Sequence, residues 1–361
     1  MQKIKKILVI TGPGIGDVVS SLPVIENLKF SFPDAKIDVM NETSYGVGSF
    51  FLKITPHISK TIRFYRESPK LGSLFKVPSL SRYFFGKASI PNKALFVLRT
   101  AKENYDLVFN CFPSTCKSAI FSFLVGRKIR AGFSTTSLSF LFNARINPLK
   151  KKKIDVEAEL VKKIGGKIKA LNFEFRLNLE NERKKIKKIL SEKKIKSRFA
   201  IFHLGRKNKC AWPIENWVKI SKYLQKKNFD VVVIGSVDDA EISDALATQN
   251  PKVHNLTNLL SLTELLALFE KSKLFIGINS GIMHLAAFSK VKVIALQGPS
   301  LYGWEAYGEN ATNIRGYDYK FCNGPLDSFE CFKFCKEEYS ECMKSISTER
   351  VISEIKNQLK N

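Results

Sequence analysis

Three short segments contain the side chains best placed to do chemistry. The first is "TGPGIGD" at 11–17, where Asp17 follows Gly12-x-Gly14-x-Gly16 between an apolar strand pattern and an apolar helix pattern. Glycines there let the backbone turn tightly and let a bulky ligand approach the start of the helix, whose dipole favours anions. The carboxylate is either a helix cap, since Asp is among the preferred capping residues, or a general base open to a ligand, and the two roles are compatible. The second is "GRKNKCAWPIENW", in which Arg206, Lys207 and Lys209 precede a Trp-Pro that starts a helix at 214. Cations beside a helix start suit a phosphate; a solvated basic turn is the plainer reading. The third is "FIGINSGIMHLAAFSKVKVIALQGPS", a strand, the turn Asn279-Ser280-Gly281, and a helix with His284 in its first turn. A small hydroxyl-bearing turn of this sort fits a diphosphate. A lone histidine is more often a packed or capping group than a metal ligand.

Four of the seven cysteines, Cys322, Cys331, Cys335 and Cys342, are spaced C-x8-C-x3-C-x6-C. Four thiolates can build a tetrahedral zinc or iron site, but the spacing lacks the C-x2-C knuckles of strong zinc motifs. Reduced structural thiols are the first expectation, a structural metal bracing the loop before the last helix the second, and disulfides the last.

The elements that must position these residues alternate along the chain. Residues 5–10, 36–40 and 106–110 read as strands, and 17–31, 92–104 and 115–125 as helices. Residues 66–91 are loop-like, and lysine runs at 150–153 and 184–196 bracket the middle. The pattern then restarts, with strands at "RFAIFHL", "DVVVIG", "KLFIGIN" and "KVIAL" and helices at 214–228, 261–271 and 281–289. Such alternation builds parallel sheets covered by helices, with ligands held at the carboxyl ends of the strands. The expected class is α/β, with two Rossmann-like domains whose sheets face a central cleft. They span 1–180 and 181–345.

A length of 361 residues makes two domains the default, and 44% hydrophobic with 25% charged residues supports real cores. The formal charge of +26 implies attraction to polyanions, or else a lysine-rich surface with no specific partner. No apolar run is long enough to span a bilayer, and Gly12, Pro13 and Asp17 cut the first one short of a signal peptide, so a cytoplasmic protein is expected.

Together the segments "ILVITGPGIGDVVSSLPVIENL", "WPIENW", "FIGINSGIMHLAAFSKVKVIALQGPS" and the later "CF…C" region resemble glycosyltransferase family 9, the heptosyltransferases of the lipopolysaccharide inner core. They occur in the family's order and span almost the whole chain. The resemblance implies a GT-B fold, with a final helix at 346–361 packing back on the first domain, and an inverting transfer of heptose from ADP-heptose that requires no cofactor. Asp17 would be the general base, with a lysine stabilising the leaving diphosphate. It also implies donor contacts from Gly14, Gly16, Asn279, Ser280, Gly281 and His284. Leu260 would pack on the base and Glu241 would hold ribose hydroxyls, with Asp239 as the alternative for that last role. Two positions depart from the family pattern. Asn279 stands where Asp is usual, and Cys210 where the phosphate-binding Lys is usual, which makes Lys209 the first substitute and Lys207 the second.

The implied acceptor is an anionic, lipid-linked saccharide at the inner face of the cytoplasmic membrane. Arg63, Arg66, Lys70, Arg82, Tyr83 and Phe84 are candidates for holding the protein there. Three other readings compete. The first is a family member using another nucleotide sugar or another acceptor, protein included. The second, from a different class, is a basic nucleic-acid-binding protein, although no known nucleic-acid motif is present and nucleic acid is not an expected partner. The third is a non-catalytic homologue.

Overall fold

A computed structural model describes residues 3–12, 14–41, 50, 55–62, 90–148, 151–205, 211–298, 303–316 and 341–360. The chain divides into two compact units, Met1–Arg176 and Leu177–Asn361, against the expected division at 180/181.

The first unit is built on six parallel strands: β1 (Lys6–Ile10), β2 (Lys36–Met40), β3 (Ile58–Ile62), β4 (Tyr105–Asn110), β5 (Gly126–Phe133) and β6 (Ala144–Ile146). Their order is β3-β2-β1-β4-β5-β6. Its helices are α1 (Ile15–Val19), α2 (Leu22–Ser31), α3 (Ile90–Ala101), α4 (Cys116–Val125) and α5 (Lys153–Lys163). A strand covered on both faces must be apolar throughout, as "KILVI" is: Ile7, Leu8 and Val9 are fully buried. The register sets Ile10 opposite both Met40 and Asn110, so the chain leaves β1, β2 and β4 at one level. The strand order reverses between β1 and β4, and ligands of doubly wound sheets bind at that point, outside the carboxyl ends. Asp17 follows β1 there.

The second unit repeats the plan with β7 (Phe199–His203), β8 (Asp230–Val233), β9 (Val253–Asn255), β10 (Leu274–Ile278), β11 (Lys292–Gln297) and β12 (Ala311–Arg315), ordered β9-β8-β7-β10-β11-β12. Its helices are α6 (Glu180–Glu192), α7 (Ile214–Lys226), α8 (Ala240–Gln249), α9 (Leu262–Lys271), α10 (Gly281–Ala287), α11 (Glu341–Lys344) and α12 (Thr348–Lys360). Here the order reverses between β7 and β10, the two strands that lead into the basic segment and the Asn279-Ser280-Gly281 turn.

The last helix, expected on the first unit, packs on α7 and β11 of the second. Val351 and Ile355 join the core of that unit, and the Trp212 indole donates to the Ile346 carbonyl at 2.9 Å. The reason is chemical: the two buried indoles of "WPIENW", Trp212 and Trp217, meet edge to face at 5.2 Å and need apolar cover. The expected helix at 17–31 is two helices, broken at Ser20–Ser21. No helix among the described residues is long and apolar enough to cross a membrane.

Candidate functional site

Asp17 is not the N-cap of α1. Gly14 is, and Asp17 sits one turn inside, where its Oδ2 accepts the Gly14 amide proton at 2.7 Å. A Cβ added at Gly12 would lie 2.5 Å from Asp17 Cγ, and one at Gly14 would lie 2.9 Å from Oδ2. These two glycines therefore make room for the carboxylate. Asn41, at the end of β2, holds the same loop by donating to Thr11 Oγ1 at 2.8 Å and to the Gly12 carbonyl at 2.9 Å. Gly16 is buried within α1. Asp17 keeps some exposed surface, so the carboxylate is approachable. Desolvation by its dense surroundings is still the largest influence on it. That burial raises its pKa, against smaller opposing effects of the Gly14 N–H and the Lys153 charge. A carboxylate pushed up in this way is a better proton acceptor than an ordinary aspartate, which is the adjustment a general base needs.

Gly12→Ala tests the packing. We expect kcat to fall by about 10²-fold, as for a misplaced catalytic group, with the fold intact by circular dichroism, because the three atoms nearest the new methyl all belong to the Asp17 side chain.

Beneath this loop lies a polar cluster that sequence reasoning missed. Lys153 and Glu157, one turn apart on α5, are 2% and 1% exposed and pair at 2.5 Å. Lys153 Nζ also donates to Ser21 Oγ at 2.9 Å, and Ser21 Oγ donates to the Asp17 carbonyl at 2.7 Å. Glu157 accepts the Phe112 amide proton at 3.0 Å, at the carboxyl end of β4. Burial raises the pKa of Glu157, with Lys153 opposing. Cys111, hydrogen-bonded to Ser21 and Glu157, has its thiol pushed far above the ordinary range by burial. The cluster thus ties α5, β4 and the α1–α2 junction together under the candidate base.

In the second unit Ser280 is the N-cap of α10, and its Oγ accepts the Met283 amide proton at 3.1 Å. The same Oγ lies 3.2 Å from Nδ1 of His203, the last residue of β7. His203 Nε2 is 3.9 Å from Asp239 Oδ2. Burial lowers the His203 pKa, with the Asp239 charge opposing, so the ring is neutral at ordinary pH. Asp239 is itself engaged, accepting from Ser236 N at 2.6 Å and Ser236 Oγ at 2.9 Å. Glu241 is exposed in the first turn of α8, and Leu260 is half-buried just before α9. His284 is buried, with its ring edge-on to Trp304 at 6.2 Å. Asn279 donates its amide to Gln297 Oε1 at 2.8 Å and to the Trp304 carbonyl at 3.2 Å. A carboxylate at 279 could do neither. Gly281 opens α10.

Lys207, Lys209 and Cys210 lie outside the described residues, as do Cys322, Cys331 and Cys335 and the basic and aromatic candidates between 63 and 84. Cys342 is described and half-buried in α11. Among the described residues no group of three or more His, Cys, Asp or Glu side chains could hold a metal ion.

The profile of glycosyltransferase family 9 (heptosyltransferase) matches residues 97–332, more than half of the chain. Lipopolysaccharide heptosyltransferase 3 of Escherichia coli (strain K12) is 24% identical over 323 residues, 84% of this chain and 86% of that protein. Lipooligosaccharide heptosyltransferase 2 of Campylobacter jejuni is 35% identical over 122 residues, 34% of this chain and 36% of that one. The solved structure of E. coli ADP-heptose LPS heptosyltransferase II superposes with a TM-score of 0.68 at 20% identity, covering 98% of each chain. That likeness shows the fold, two Rossmann-like units of GT-B type.

Proposed function

This chain belongs to glycosyltransferase family 9, the heptosyltransferase family, and on that premise we propose that it moves a heptose from ADP-heptose to a saccharide acceptor of the lipopolysaccharide core. The observation that carries the reading is Asp17, a desolvated carboxylate given space by Gly12 and Gly14 at the strand-order reversal of its sheet. Asp17 takes the proton of the acceptor hydroxyl. That oxygen forms the new bond to the anomeric carbon, and the bond to the donor phosphate breaks with its electron pair leaving on ADP. A single displacement inverts the anomeric centre. Lys209, or Lys207 after it, stabilises the leaving diphosphate. Ser280, Gly281 and His284 surround the diphosphate, Leu260 packs on the adenine, and Glu241 holds the ribose. Asp239, which accepts from Ser236 N and Oγ, is the alternative for that last role.

One observation favours a second reading, a different nucleotide sugar. Asn279 is neutral where the family usually has Asp, and its amide is held by Gln297 and the Trp304 carbonyl. Thermal unfolding with ADP, UDP, GDP and CMP separates the two. A nucleotide at a hundred times its dissociation constant adds about 2.7 kcal/mol of stability. We expect ADP alone to do so. A larger shift with UDP or GDP selects the second reading, and no shift with any nucleotide overturns both.

A further inference from the structure

Nine large apolar side chains are exposed among the described residues, and six of them are on neighbouring parts of the first unit: Leu95, Leu98, Ile120, Phe123, Leu124 and Phe140. They are not scattered. On α3, Leu95, Leu98 and Arg99 follow the i, i+3, i+4 spacing of one helix stripe, which Lys102 extends just past the last turn. On α4, Ile120, Phe123 and Leu124 form a second stripe, and Phe96 stacked on Phe121 at 5.9 Å locks the two helices side by side. The short 3₁₀ turn Ser139–Leu141, which carries Phe140, packs on α4. Arg130 bridges the two, with its guanidinium 5.5 Å from the Phe123 ring centre and its Nε donating to the Leu141 carbonyl at 2.9 Å.

The charge around this face is mainly positive: Asp106 is taken up by Lys128 at 2.7 Å, and Glu103 by Lys6 and Lys60. From Leu107 to Pro148 the sequence contains Lys117, Arg127, Lys128, Arg130 and Arg145 and no Asp or Glu. Arg99 of α3 and Lys102 just after it add to them, and both are exposed. Apolar side chains with a cationic rim are the composition of a surface that sinks shallowly into a bilayer, with long basic side chains reaching the headgroups. A second copy of the chain is a poor occupant, because a two-fold contact would set the same cations against each other.

We propose that the α3–α4 face of the first unit is a docking surface for an anionic lipid bilayer. Contact with lipid does not depend on which sugar is transferred; its use, keeping the chain at the surface that carries a lipid-anchored acceptor, rests on the proposed function. The surface differs from the 63–84 candidates considered from sequence, which lie outside the described residues.

The test is sedimentation of the full chain with phosphatidylcholine vesicles, with and without phosphatidylglycerol, at low and high salt. Wild type binds the anionic vesicles more tightly and is released by salt, since each cation near an anionic surface contributes about fivefold. Phe123→Ser/Leu124→Ser lowers binding at least about tenfold by removing buried apolar area. Arg99→Glu/Arg127→Glu abolishes the preference for anionic lipid. Both variants keep the wild-type melting temperature and full transfer to a delipidated acceptor, because neither pair touches the Asp17 site. Wild-type binding by both variants overturns the proposal. So does a wild type that ignores vesicles, or a wild-type dimer that the variants dissociate. If vesicle binding behaves as expected but no heptose is transferred to any acceptor, the docking surface stands and the proposed function falls.

Discussion

Asp17→Asn lowers kcat by about 10²–10⁴-fold, the usual contribution of a positioned general base, and leaves the protein folded and able to bind ADP. The asparagine Oδ1 can accept the same Gly14 amide proton that Asp17 Oδ2 accepts at 2.7 Å, so the α1 turn is retained. The amide fills the same space between Gly12 and Gly14. A desolvated charge also disappears, so the melting temperature holds or rises slightly. Under the proposed function the base, ribose and most diphosphate contacts come from Leu260, Glu241, Ser280, Gly281 and His284 of the other unit, so ADP is expected to stabilise the variant as it does the wild type. The pH dependence follows from the raised pKa of Asp17. The base works only when deprotonated, so wild-type kcat/KM falls as pH drops through that raised pKa, at a higher pH than an ordinary aspartate would give. Asp17→Asn has no such limb. Steady-state kinetics across pH with a defined acceptor reads both effects. A variant that retains wild-type kcat, or the same acid limb, removes Asp17 from the chemistry.

The parts of the fold legible in the sequence are those whose residues face one environment along their whole length. "KILVI", "FAIFH" and "LFIGI" are uninterrupted apolar runs because they are central strands with helices on both sides. The strands that escaped notice include all four at sheet edges, β3, β6, β9 and β12. "ISKTI", with Lys60 exposed, and "ATNIR", mostly half-buried, have one open side and no continuous run to reveal them. Asp17, Ser280 and His284 were legible as site candidates because glycines and turn residues mark them. His203 was not, since it is one histidine at the end of an apolar strand, and only the fold brings it within 3.2 Å of Ser280. Lys153 was hidden more completely. It ends the run Lys150–Lys153, and a run of lysines ordinarily marks solvent. The one available signal was Glu157 four residues on, followed by Leu160 and Val161. That pattern turns an inward helix face toward the sheet and takes the last lysine with it.

That buried lysine is the site of the second large effect. Lys153→Met leaves Glu157 at 1% exposure without its cation, and stranding one partner of a buried pair costs about 3–5 kcal/mol. Burial already raises the Glu157 pKa with Lys153 in place, so the variant takes up a proton at 157 before it can fold. For a unit of this size, thermal unfolding should drop by roughly 6–20 °C. Lys153→Met/Glu157→Leu recovers most of that loss, because an apolar pair of similar volume needs no desolvation of charge. Stability alone would make these residues scaffolding, but the chain Lys153 Nζ to Ser21 Oγ to the Asp17 carbonyl couples them to the candidate base. The Lys153 charge opposes the desolvation that raises the Asp17 pKa. Removing it in Lys153→Met, assayed below the lowered melting temperature, moves the acid limb of kcat/KM to higher pH. Glu157→Gln does the reverse: it leaves the Lys153 charge without its carboxylate partner beside Asp17, and the limb moves to lower pH. General loosening of the fold would move both variants in one direction. Opposite shifts identify Lys153 and Glu157 as the pair that sets the field on Asp17, and shifts of one sign or none restrict them to holding α5 in place.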